Sequence, residues 1–147
     1  MRKFHLACVV LTLLLPSLCA ARDVAVITDK ANPSSGLSAK ELVKMLRRET
    51  AKWPDGRKVF IYLAEPGSPD GKILREKTYA MTEAELRAFA GQKEIAILDS
   101  DEAVLKAVAE NPGSIGIINV YSINSAVKVL KVDGKLPLEQ GYLLHGN

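Results

Sequence analysis

Thiols and imidazoles are scarce in this chain. Its 147 residues hold two cysteines, Cys8 and Cys19, and two histidines, of which only His145 lies beyond residue 21. If the first 21 residues are set aside, no thiol remains. That excludes a disulfide, a thiolate metal site and a cysteine nucleophile. A single histidine excludes the usual histidine-based catalytic sets and zinc spacings. Aromatic residues make up 5%, with Trp53 the only tryptophan. No sign of charge dominates either. Removing Arg2 and Lys3 lowers the basic count from 20 to 18 against 17 acidic residues, a net +1. A basic footprint for nucleic acid is therefore missing. No long apolar run occurs after residue 15.

What is present begins with a leader. Arg2 and Lys3 precede Leu6–Leu15, ten residues in which only Thr12 is polar, and Pro16 and Ser17 end the run. Cys19 and Ala21 are small enough for cleavage after Ala21, and the run is shorter than the ~20 residues that cross a bilayer. Residues 1–21 are expected to be a cleaved signal peptide. Residues 22–147 are expected to form a single domain, periplasmic or secreted.

Within that domain, strands and helices alternate. Val24–Thr28 is β-branched and reads as a strand. Ser38 followed by Glu41 is a capping box, with Leu37 and Leu42 as its hydrophobic staple, opening a helix to about Glu49. Trp53-Pro54-Asp55-Gly56 is a turn, and Val59–Leu63 a second strand. A loop over Glu65–Gly71 leads to a short helix from about Lys72 to Tyr79. Thr82 and Glu85 form a second capping box for a helix ending near Gly91. Ile95–Leu98 is a strand. Asp99 with Glu102 opens the next helix, which Asn111-Pro112-Gly113 stops. Strands follow at Ile115–Val120 and Val127–Val132, and Tyr142–Leu144 adds an edge. This order predicts an α/β domain with a mostly parallel sheet flanked by helices. Arg47-Arg48 and Arg57-Lys58 read as solvated surface.

One segment is a candidate ligand site. Gly67-Ser68-Pro69-Asp70-Gly71 feeds a helix, where free backbone N–H groups and the helix dipole favour an anion. Ser68 offers a hydroxyl and Lys72 a charge. The competing structural reading is an ordinary Ser N-cap with Pro69 at the first helical position and Asp70 in the first turn. Asp70 repels an anion unless the ligand carries a proton for it to accept. Trp53 reads as closing a core edge, and Ser34-Ser35-Gly36 as a turn. No nucleophile–base pair and no metal-ligand cluster can be assembled, so an enzyme is not expected and no cofactor is implied.

In order, Val24-Ala-Val-Ile, Asn32-Pro33, Leu37–Leu42, Trp53–Arg57, Gly67-Ser68-Pro69, Ala107–Gly116 and Val129–Gly134 resemble the phosphate-type periplasmic substrate-binding proteins. These are the solute receptors of phosphate ABC transporters. The likeness covers about residues 24–134 and fits the second of the family's two lobes. It implies one periplasmic-binding-protein-like (type II) lobe. It also implies phosphate or a similar oxyanion bound at Gly67 and Ser68, to which the loop itself adds Asp70 and Lys72 as candidate ligand-binding residues, with an ABC transporter or envelope protein as partner. The family's loop commonly reads Gly-Ser-Gly-Thr with an arginine nearby. Here Asp70 stands in the Thr place, and Glu65 and Gly71 occupy the flanking positions. A single lobe leaves an oxyanion half solvated, so a homodimer or a partner protein is expected to supply the second wall. The alternative is an envelope accessory or interaction protein that has lost small-ligand binding.

Overall fold

The computed structural model describes residues 22–146. The leader read over residues 1–21 lies outside the described residues. The central strand is β1 (Arg22–Asp29), in which Val24, Ala25, Val26 and Ile27 are all fully buried. Successive side chains of a strand face opposite ways. Val24 and Val26 accordingly join the larger core, while Ala25 and Ile27 join a smaller one on the other face.

The chain then forms a two-residue strand β2 (Gly36–Leu37) and helix α1 (Ala39–Leu46). The capping box forms as the sequence predicts. The Ser38 hydroxyl accepts the Glu41 N–H at 3.1 Å, and the Glu41 carboxylate accepts the Ser38 N–H at 2.8 Å. Strand β3 (Phe60–Leu63) leads to helix α2 (Pro69–Leu74), which runs into a π-helical turn at Arg75–Tyr79. Helix α3 (Glu83–Gln92), strand β4 (Ile95–Ile97), helix α4 (Asp101–Glu110) and strand β5 (Ser114–Asn119) follow. Three short strands complete the fold: β6 (Val127–Val129), β7 (Lys131–Val132) and β8 (His145–Gly146).

The main sheet has the order β4-β3-β5-β1-β6, with β8 also paired to β1. Strands β4, β3 and β5 are mutually parallel. Strand β1 is antiparallel to β5, β6 and β8. One central strand thus opposes all the others, and the sheet is mainly parallel, as expected. Strands β2 and β7 pair separately in parallel. Helices flank both faces. Leu42, Met45 and Leu46 of α1 and Leu86 of α3 pack on one side, and Val104, Leu105 and Val108 of α4 on the other. Gly116 makes that second contact close. A Cβ there would lie 2.7 Å from Val108 Cγ2 and 2.8 Å from Val104 Cγ1.

Several local expectations are corrected. Helix α2 starts at Pro69 rather than Lys72, because Ser68 caps it. At α3 only half of the second box forms: Thr82 accepts the Glu85 N–H at 3.2 Å. Helix α4 is capped by Ser100, whose hydroxyl accepts the Ala103 N–H at 3.1 Å, and Asp99 precedes the cap. The run Val127–Val132 divides at Leu130, since β6 joins β1 while β7 joins β2. The last edge pairs at His145–Gly146, just after the segment Tyr142–Leu144.

The arginine pair is not a solvated face. Arg47 donates to the carbonyls of Thr78 and Tyr79. Arg48 donates to those of Val59, Lys93 and Glu94, and burial lowers its pKa. These guanidiniums stitch the end of α1 to three neighbouring segments, a long-range role that local charge patterning does not encode. Arg57 is likewise half-buried and bonds Asp55 and Asn32.

Candidate functional site

In open α/β sheets, ligands bind beyond the carboxyl ends of the parallel strands. Here that end carries the Gly-Ser loop after β3, the Ser100 cap after β4, and a 3₁₀ turn at Val120–Ser122 after β5. A strand-to-helix connection demands a close backbone approach, and Gly71 allows it. A Cβ at Gly71 would lie 2.5 Å from the carbonyl oxygens of both Glu65 and Pro66.

Ser68 is committed within this loop. Its hydroxyl accepts the Gly71 N–H at 3.0 Å and donates to the Glu65 carbonyl at 2.7 Å. Gly67 lies against Glu83, whose carboxylate a Cβ at Gly67 would meet at 2.6 Å. Arg87 pairs with both Glu83 and Glu65, one guanidinium shared between two carboxylates.

Asp70 turns toward the sheet. It accepts from Asn119 Nδ2 at 3.1 and 3.2 Å and from Arg22 Nη1 at 3.2 Å. The Asn119 backbone N–H in turn donates to Asp101 at 3.1 Å, and Ser122 donates to the same oxygen at 2.6 Å. The ends of β1, β5, α2 and α4 thus meet in one polar network centred on Asn119.

The predicted residues therefore divide. Gly67, Ser68 and Lys72 line one open hollow of about 580 Å³, while Asp70 lies outside it. The same hollow is lined by Arg22, Arg75 and Glu76. The arginines that the loop sequence lacks thus arrive from elsewhere, Arg22 from the start of β1 and Arg75 from the turn after α2. Arg75 spends Nε on the Pro66 carbonyl at 3.0 Å and Nη1 on the Met81 carbonyl at 3.4 Å. Lys72 faces Glu76 across 3.8 Å, an exposed pair of the kind that contributes little. Sequence reasoning missed both arginines because neither stands at the positions flanking the Gly-Ser step.

Trp53 and Ser34 take the structural roles expected of them. Trp53 is buried and donates Nε1–H to the Gly113 carbonyl at 2.9 Å. Ser34 donates to the Gly36 carbonyl at 3.1 Å and so shapes the turn before α1. Among the described residues, no three His, Cys, Asp or Glu side chains cluster as metal ligands. Nor is any helix among them long and apolar enough to cross a membrane.

No family model matches the chain. The phosphate-binding protein PstS 2 of Streptococcus agalactiae serotype V is 26% identical over 112 residues, which cover 76% of this chain and 33% of that protein. An ABC-type phosphate transport receptor from Vibrio cholerae superposes with a TM-score of 0.72 at 16% identity, over 85% of this chain and 54% of that one. PstS from Borrelia burgdorferi gives 0.71 at 18% identity, over 86% and 55%. A putative phosphate ABC transporter substrate-binding protein with bound phosphate, from Clostridium perfringens, gives 0.66 at 22%, over 78% and 46%. The chain thus spans about a third of its curated relatives and about half of the solved receptors. In sequence and in fold it resembles one part of the phosphate ABC transporter substrate-binding proteins.

Proposed function

We propose that this protein is a periplasmic or secreted solute-binding lobe of the phosphate-receptor type, not an enzyme, that holds phosphate or a similar oxyanion in the hollow beside Gly67 and Ser68. One observation carries the reading: three of the four loop residues expected to bind share that hollow with Arg22 and Arg75. Lys72, Arg22 and Arg75 supply the charge, and the Gly67-Ser68 step forms the wall. Asp70 tunes the site from behind by holding one arm of Arg22. A hollow this open leaves the oxyanion partly hydrated, so affinity depends on a second wall from a partner chain, a transporter or an envelope protein.

Titration calorimetry with phosphate, with sulfate as control, tests the reading. Binding is expected at one phosphate per chain. It should weaken about fivefold in Arg22→Gln/Lys72→Gln, since two partly exposed charges together are worth on the order of 1 kcal/mol. It should tighten in Asp70→Asn, which frees Arg22.

A specific observation favours a second reading. The Ser68 hydroxyl and the Asp70 carboxylate are both satisfied by the protein's own groups, so the carboxylate takes the place of an anion. On that reading the lobe has given up free phosphate and serves as an accessory or interaction protein of the envelope. Absence of phosphate heat in both the parent protein and Asp70→Asn selects it.

A further inference from the structure

A second cleft lies at the other end of the sheet. The hollow beside Ser68 adjoins Arg22 and Gly146, at the start of β1. The second cleft adjoins Asn32, whose backbone N–H donates to the carbonyl of Asp29 at the end of β1. Seven strand steps of about 3.3 Å separate Arg22 from Asp29, so the two recesses are different sites.

The cleft encloses about 550 Å³, within the range of small-molecule sites. Its floor is apolar: Leu37, Met45 and Trp53 line it and are each buried. Its walls are held in place. Trp53 is pinned by its bond to Gly113. Asn32, 2% exposed, donates to Thr28 Oγ1 at 2.9 Å and accepts from Arg57 Nη2 at 3.1 Å and from the Ser34 N–H at 3.0 Å.

The charges around the rim are unequal. Two carboxylates line the cleft, and both are engaged. Glu41 takes the Ser38 N–H of the capping box. Asp55 takes the Arg57 backbone N–H at 3.1 Å and its Nε at 2.8 Å, which together hold its carboxyl below the usual range. The cations are less occupied. Lys44 and Lys52 line the cleft, are exposed, and make no ion pair or side-chain hydrogen bond among the described residues. An apolar floor beneath two free ammonium groups is complementary to a molecule with an apolar body and an anionic head.

We infer that the cleft between Asn32, Met45, Trp53 and Arg57 binds a small amphipathic organic anion, its apolar body on Trp53 and Met45 and its carboxylate between Lys44 and Lys52. This site is independent of the phosphate reading and uses none of its residues. Trp53 is the sole tryptophan and lines the cleft, so its emission reports occupancy directly.

The test uses decanoate below its micellar concentration, followed by Trp53 fluorescence and by calorimetry on the purified protein. Decyltrimethylammonium serves as the charge-reversed control. Expected is saturation at one decanoate per chain, no saturation by the ammonium surfactant, and about tenfold weaker decanoate binding in Lys44→Gln/Lys52→Gln. Both lysines are exposed, so this variant retains the fold, which circular dichroism checks. Phosphate should leave decanoate binding unchanged. The inference is overturned if decanoate fails to saturate in the millimolar range, if the ammonium surfactant binds equally well, if the double variant binds as tightly as the parent, or if phosphate displaces decanoate.

Discussion

Replacing Ser68 by alanine separates a cap from a ligand contact. The hydroxyl has two partners, the Gly71 N–H at 3.0 Å and the Glu65 carbonyl at 2.7 Å. Glu65 keeps a partner in the variant, because the Ser68 backbone N–H also reaches its carbonyl at 3.2 Å. The Gly71 N–H belongs to a buried residue and keeps none. The expected cost is that of a lost N-cap with one poorly solvated donor, about 1–2 kcal/mol. For a domain of this size that lowers Tm by about 3–8 °C. Urea unfolding followed by circular dichroism measures the first quantity and calorimetry the second. Ser68→Asp restores an acceptor for Gly71 and should recover most of the loss, while its charge abolishes phosphate binding in the hollow. Phosphate affinity in Ser68→Ala should change by less than about threefold, because the hydroxyl proton is already given to Glu65. Stability unchanged within error in Ser68→Ala would refute the cap. A complete loss of phosphate binding with the fold intact would show that the hydroxyl serves the ligand instead.

Gly116→Ala should destabilise by about 1–3 kcal/mol, since its Cβ meets Val104 and Val108, and adding Val108→Ala should recover part of the loss in a double-mutant cycle. The Tyr79 hydroxyl is buried without a hydrogen-bond partner among the described residues, so Tyr79→Phe should be neutral or stabilising by up to about 1 kcal/mol in urea unfolding. Burial raises the pKa of Tyr79, so the folded state keeps its proton above pH ~10 while the unfolded state loses it. Its contribution to stability is fully present below that pH and falls by about 1.4 kcal/mol per pH unit above it. Tyr79→Phe should reduce the alkaline slope by that amount, and an unchanged slope would contradict the burial.

Much of the local structure is written in short-range pattern. Ser38 and Glu41 form their box because both partners lie within one turn of chain. The alternation of Val24–Ile27 between the two cores follows from strand geometry. The Gly67-Ser68 step marked the candidate loop for the same reason: a turn residue and a cap act on their immediate neighbours. Cap competition is less legible. Asp99, Ser100 and Asp101 are all cap-forming residue types, and Ser100 takes the cap.

The sequence alone determined the alternation of elements, the positions of most turns and the scarcity of thiol and imidazole chemistry. Only the tertiary structure decided that β1 opposes its neighbours, that Asp70 turns inward to Asn119, and that Arg22 and Arg75 reach the Ser68 hollow. It also decided that Arg47 and Arg48 point to backbone carbonyls rather than to water. The division has a physical cause. Periodicity and capping depend on residues one turn or two steps apart. Which charges meet depends on the order in which strands cross the sheet, and that order follows from burying both apolar faces of β1 at once.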